Sequence, residues 1–288
     1  MVDSQTNSIK TTTTGERAVP NEPSKCGSKG LPKKSDVDVK HVILVLSGKG
    51  GVGKSTISVN LASALAKNGT RTGILDLDIH GPDLAMMLGV QDRKLQTVQN
   101  KIQPVQVTGN LSVLSMAFLI ENSTTPIVWR GPMKMAAIQQ FLEEVEWGSL
   151  DYLVVDLPPG TGDEALSIIQ LAPNISGAVV VTTPQHVATL DAGKSIRFVQ
   201  KMDVRVLGVI ENMSALLCPK CGEKIDLFGT GGGGMLAELM DVPFLGSIPL
   251  DPSLVRAGDE GRPSVIGQGD SKTAHAIERV IEKIKESL

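Results

Sequence analysis

From His41 onward the chain alternates short apolar runs with stretches whose apolar positions recur every three to four residues. The runs VILVL (42–46), TGILDLD (72–78), YLVVDL (152–157), GAVVVTT (177–183) and VLGVIEN (206–212) lack the in-and-out alternation of a half-wet strand. They predict strands covered on both faces, as in parallel sheets. Helical periodicity falls near 54–68, 133–145, 163–172, 187–201 and 271–287. This order predicts an α/β fold: a single doubly wound, mostly parallel sheet with helices on both faces and right-handed crossovers. Ligands of such sheets bind beyond the carboxyl ends of the strands, so the polar residues after each run are where chemistry is expected.

The last helix carries Ile277, Val280, Ile281, Ile284 and Leu288 on one face, with Glu278, Glu282, Glu286, Arg279, Lys283 and Lys285 elsewhere. A membrane-surface helix would be more basic and richer in aromatics, so packing against the sheet is the expected role. Residues 1–38 show no apolar period and are rich in Thr, Ser, Lys, Gly and Pro. They read as a flexible tail in which Cys26 is incidental, before one domain over 39–288. Within that domain 214–232 reads as a loop around a CxxC. The glycines from Gly229 to Gly234 read as a flexible connector, because no strand leads into them.

Composition narrows the function. With a net charge of −3 over 288 residues, the chain lacks the basic excess of a protein built to neutralise nucleic-acid phosphates. No apolar run approaches the roughly 20 residues of a membrane span. A cytoplasmic protein that binds neither nucleic acid nor membrane is expected.

The run GKGGVGKST (48–56) follows the first strand and opens the first helix. Gly48, Gly53, Lys54 and Ser55 satisfy the G-x-x-x-x-G-K-[ST] phosphate loop. In such a loop the backbone N–H groups of Gly48, Gly50, Gly51, Val52, Gly53, Lys54, Ser55 and Thr56 can converge on a nucleotide's phosphates at the positive end of a helix. Lys54 is placed to reach the β and γ oxygens, and the Ser55 hydroxyl to bind Mg²⁺. Asp156, closing an apolar strand, supplies the expected second half of the metal site. The PPGTGD that follows suits a loop that changes shape when the γ-phosphate leaves. In DLDIHGPD (76–83), Asp78 is the candidate for orienting the attacking water and Asp76 for outer-shell support of Mg²⁺. His80 in the same stretch reads as structural.

Cys218 and Cys221 form a CxxC. Metal clusters and structural zinc usually take four ligands, so one chain offers half a site, and two chains related by a two-fold axis would supply four thiolates. The spacing alone leaves zinc, a redox dithiol and an iron-sulfur cluster open.

Lys49 is not required by the general phosphate loop. With both lysines, GKGGVGKST resembles the deviant Walker A group, which includes partition ATPases, septum-site ATPases and the nitrogenase iron protein. That resemblance implies that Lys49 reaches across a dimer interface to the partner's nucleotide. DLDIHGPD (76–83), WRGPMK (129–134), DLPPGTGD (156–163), ENMS (211–214), CPKC (218–221) and PFLGSIPLD (243–251) together resemble the Mrp/NBP35 family of iron-sulfur cluster carrier ATPases, over about residues 40–265. The resemblance implies ATP binding and hydrolysis, with Lys49, Lys54 and Asp78 as the catalytic set and Asn212 against the adenine. It also implies a homodimer whose subunits share a labile [4Fe-4S] cluster on Cys218 and Cys221 and pass it to apo iron-sulfur proteins. The four-cysteine motif at the N-terminus of the eukaryotic NBP35 type has no counterpart, since the tail holds only Cys26. A minimal version of the family, without the small N-terminal domain of many bacterial members, is expected.

Overall fold

In the computed structural model, which describes residues 34–79, 81–119, 131–218, 220–221, 223–263 and 271–288, strand β1 (Val39–Ser47) lies inside a nine-stranded sheet. It pairs in parallel with β7 (Leu150–Asp156) on one side and β8 (Ile175–Thr182) on the other. Beyond β7 come β2 (Thr72–Asp76), β6 (Leu111–Ser115) and the antiparallel edge strand β5 (Val105–Thr108). Beyond β8 comes β9 (Val206–Leu217), whose outer edge takes β11 (Phe244–Leu250) in parallel and the short β10 (Lys224–Ile225) antiparallel. A separate hairpin joins β3 (Gln96–Val98) to β4 (Lys101–Gln103).

Alternate residues of the central strands face opposite helical layers, which is why their sequences read as unbroken apolar runs. Val42, Leu44, Leu46, Leu153, Val155 and Val180 pack with α3 (Gly131–Glu143), α4 (Asp163–Leu171), α5 (His186–Lys201) and α6 (Gly232–Leu239). Ile43, Val45, Val154, Val179 and Val181 pack with α1 (Lys54–Lys67), α2 (Leu84–Met87), α7 (Pro252–Asp259) and α8 (Lys272–Glu286). In α8, Ile277, Val280, Ile281 and Ile284 are buried, as core packing requires. Ser271 caps the helix by accepting the Ala274 N–H at 3.0 Å. Among the described residues no helix is long and apolar enough to cross a membrane.

Four expectations change. Strand β2 stops at Asp76, so Leu77 and Asp78 lie beyond it. Strand β9 runs five residues past 212, placing Ser214–Leu217 in the sheet rather than in a loop. The glycine run is not a connector: Gly231 is the left-handed N-cap of α6, and Gly232 and Gly233 are buried in its first turn. Packing also begins before residue 39, since Ser35 is buried and donates its N–H to the Leu171 carbonyl at 2.8 Å. Residues 1–33 of the expected tail, with Cys26, lie outside the described residues.

Candidate functional site

Strand β1 ends at Ser47 and α1 begins at Lys54, so Gly48–Gly53 make the whole turn at the carboxyl end of the sheet. Gly50 and Gly51 stand exposed at its crest. Gly48 abuts the backbone of Asp191 and Ala192, fixing the loop against α5. Gly53 adopts φ 82, in the left-handed region, and a Cβ there would overlap the Asn212 amide. That amide donates to the Val52 carbonyl at 2.9 Å, tying the loop to β9. The result is a ring of backbone N–H groups at a helix N-terminus, which is a ready anion site.

A polar cluster sits under the loop. Lys54, 6% exposed, donates from Nζ to Asp156 Oδ2 at 2.6 Å and lies 4.0 Å from Asp78 Oδ2. Ser55 Oγ donates to the same Asp156 oxygen at 2.8 Å, and Ser58 Oγ to the other at 2.5 Å. Parallel pairing of β2 with β7 sets Asp76 beside Asp156. Asp76 is fully buried and accepts from Ser115 Oγ at 2.7 Å and from the Asp78 N–H at 3.1 Å. Burial, and then the Asp156 charge, push its pKa well above the usual carboxylate range despite those bonds. The Asp78 carboxylate accepts the Gly81 N–H at 3.3 Å. The Ser55 hydroxyl and the Asp156 carboxylate are hard oxygen donors side by side, a set that fits Mg²⁺. Lys49 extends away from this cluster, its Nζ donating to Gln185 Oε1 at 3.1 Å.

Next to the loop, a pocket of about 330 Å³ is lined by Thr56, Asp83, Met87, Asn212, Met213 and Asp251, among others. Asn212, expected at the adenine, thus stands between the phosphate loop and a pocket with apolar walls.

The cysteines lie at the far end of β9. Leu217 pairs with Lys224, and the Cys218 N–H donates to the Glu223 carbonyl at 2.8 Å, closing a hairpin with Cys218 and Cys221 in its turn. Cys218 is half-buried and Cys221 exposed. The backbone N–H of Cys221, then that of Lys220, then the Cys221 thiol pull the Cys218 pKa below the ordinary thiol value, which favours the metal-binding thiolate. Among the described residues no group of three or more His, Cys, Asp and Glu gathers as a metal site, so within them the pair stands as half a site. Exposed apolar side chains occur on the adjacent helices, Val187 and Leu190 on α5 and Met235 and Leu239 on α6.

Several working residues carried no distinct signal in the sequence. Ser58, Ser115 and Gln185 hold Asp156, Asp76 and Lys49 respectively; only Ser58, one turn after Ser55, follows from helical spacing. From WRGPMK, Lys134 pairs with Glu164 Oε1 at 2.5 Å, joining α3 to the first turn of α4. Trp129, Arg130 and His80 lie outside the described residues.

A Gly-rich loop between a buried parallel strand and a helix, with Lys54, Ser55 and Asp156 converging beneath it, defines a P-loop NTPase. The family model for the NUBPL iron-transfer P-loop NTPase, of ParA type, matches residues 38–285, and the chain belongs to that family. It is 45% identical over 250 residues to the iron-sulfur cluster carrier protein of Methanocaldococcus jannaschii, covering 87% of this chain and 86% of that one. It is 46% identical over 267 residues to the mouse iron-sulfur cluster transfer protein NUBPL, covering 90% and 83%. Among solved structures, the nucleotide-binding protein of Archaeoglobus fulgidus in complex with ADP superposes with a TM-score of 0.68 at 38% identity, covering 78% of this chain and 88% of that one. The cell-division ATPase MinD of Pyrococcus furiosus shares the fold, with a TM-score of 0.61 at 23% identity over 86% of this chain and 100% of that one.

Proposed function

We propose that the chain is an ATP-binding and ATP-hydrolysing carrier that assembles a labile [4Fe-4S] cluster between two copies of itself and transfers it to apo iron-sulfur proteins in the cytoplasm. The observation that carries this reading is one strand, β9, with Asn212 on the phosphate loop and Cys218 immediately beyond its end. The names of the relatives supply the cargo; the chain supplies one half-buried and one exposed thiol to hold it.

The geometry supports the following roles. The N–H groups of Gly48–Thr56 cradle the phosphates, and Lys54 turns from Asp156 toward the β and γ oxygens as nucleotide enters. Ser55 and Asp156 would hold Mg²⁺, which would supply positive charge to offset that of the phosphates. Ser58 stays on the second Asp156 oxygen and keeps that carboxylate aimed. Asp78, at the edge of the cluster, orients the water, while Asp76 acts from behind on Asp156. Lys49 leaves Gln185 and reaches the nucleotide of a second copy, so hydrolysis requires the dimer. In that dimer two CxxC hairpins bring four thiolates to one exposed cluster.

The test is anaerobic reconstitution with iron and sulfide, read by visible spectrum. A brown product whose colour is lost in the Cys218→Ser/Cys221→Ser protein supports the carrier reading. A colourless product, tight zinc in its place, or colour that survives the double substitution overturns it. Separately, Lys54→Ala should abolish ATP turnover with the fold intact by circular dichroism; unchanged turnover overturns the nucleotide assignment.

A further inference from the structure

Glu211 is a carboxylate that neither the nucleotide site nor the cysteine pair uses, yet it is 2% exposed in the middle of the sheet. It lies on β9 between Thr182 of β8 and Ser247 of β11. Its side chain accepts the Gly233 N–H at 2.7 Å and the Ser247 hydroxyl at 3.3 Å. A buried carboxylate left without such donors would carry a heavy desolvation cost. Gly233 is in the first turn of α6, where the free N–H groups and helix dipole favour a negative charge.

The glycines there serve close approach. A Cβ on Gly233 would sit 2.8 Å from Glu211 Cβ, and one on Gly232 would overlap the Pro184 carbonyl. Pro184 directly precedes Gln185, the residue that holds Lys49. The start of α6 is therefore clamped between the strand that binds the phosphate loop and the segment that carries the Lys49 partner.

This clamp follows the cysteine excursion along the chain. The excursion leaves β9 after Leu217, passes Cys218 and Cys221, pairs back on β9 through the two-residue β10 and then runs to α6. Its outgoing end is β9, which spans at most about 20 Å from Asn212 to Cys218. That strand is interrupted: Ile248 pairs with Asn212 but Leu250 with Leu216, and Met213 adopts φ 56. A bulged strand transmits a displacement poorly unless the other end of the excursion is held as well.

We propose that Glu211 is a positioning residue for the cysteine hairpin: by fixing the start of α6 beside the Asn212 anchor, it makes the geometry of Cys218 and Cys221 respond to nucleotide. Glu211 and Asn212 are consecutive on β9, one holding α6 and the other the phosphate loop. A shift of the loop on ATP binding thus reaches β9 before the cysteine hairpin and α6 after it. The inference rests on the carrier reading for its purpose, but its test needs no cluster.

In a Cys26→Ser background the pair Cys218 and Cys221 are the only thiols, and their alkylation rate is measured on the full-length apo chain with and without ATP. In the parent, ATP should change the rate about fivefold or more, the scale of coupling between two sites. In Glu211→Ala, and independently in Gly233→Ala, that response should be lost while ATP binds within about twofold of the parent affinity. Glu211→Gln, which keeps one acceptor for the Gly233 N–H, should restore part of it. A variant that merely loosens the fold would instead lose ATP affinity and melting temperature with the response retained. A parent that does not respond, or two variants that both respond like the parent, overturns the proposal. The reconstitution test run on the same parent is separate: a colourless parent with an intact thiol response removes the cargo and leaves the coupling.

Discussion

The phosphate loop and the cysteine hairpin stand at opposite extremes of self-sufficiency. Beneath the loop both buried carboxyl groups meet donors inside one chain: Asp156 takes Lys54, Ser55 and Ser58, and Asp76 takes Ser115. The hairpin has two thiols, a short two-residue strand to brace it, and exposed surroundings. A site that must be built before its ligand arrives belongs in the core, where low dielectric strengthens its bonds. A site that must release its ligand belongs at an edge. The chain uses one strand, β9, to reach both.

Three substitutions and one labelling measurement would break or sharpen this contrast. Asp156→Ala should be the most damaging, because it leaves Lys54 buried without its partner. A loss of about 3–5 kcal/mol is expected, the usual cost of breaking a buried ion pair from one side, read as a lower denaturant midpoint. Asn212→Ala removes the donor to the buried Val52 carbonyl and should cost about 1 kcal/mol. It should also weaken ATP binding measured by titration calorimetry. Cys218→Ser/Cys221→Ser should move stability by less than about 0.5 kcal/mol, as exposed substitutions do, while removing all reconstituted iron. A large unfolding effect there would mean that the hairpin is part of the core, and the contrast would fail. The smallest effect is kinetic. Because the Cys218 pKa is lowered, its thiolate fraction at neutral pH exceeds that of an ordinary thiol, so it should be alkylated there ahead of Cys221. Peptide mapping after partial labelling checks the order.

The central strands and both helical layers were legible because residues buried on two faces must be apolar in sequence. The turn from Gly48 to Gly53 and the helix start at Lys54 and Ser55 were legible because the G-x-x-x-x-G-K-[ST] pattern leaves few alternatives for a strand-to-helix turn. Strands β3 and β4 were not, since all of Gln96–Val98 is exposed and no alternation marks it. Strand β6 (LSVLS) hides two serines in the core, one of them serving Asp76, so its polarity argued against burial. Strand β11 was not among the predicted runs, because Gly246 and Pro249 interrupt its apolar pattern, yet it pairs in parallel with β9. The glycines at the start of α6 were misread for a related reason: composition shows that glycine is present, not whether the backbone needs freedom or room. Glu211 escaped notice because a single carboxylate in a strand becomes meaningful only when the helix it meets is known.

That the described part of one chain presents only two thiols has a consequence for cargo lifetime. In the proposed dimer, a cluster held half by each of two copies would inherit their association equilibrium, so its occupancy would depend on how concentrated the carrier is as well as on how tightly each sulfur binds. Dilution would then be a release signal, and abundance of the protein a setting for how long iron stays in transit.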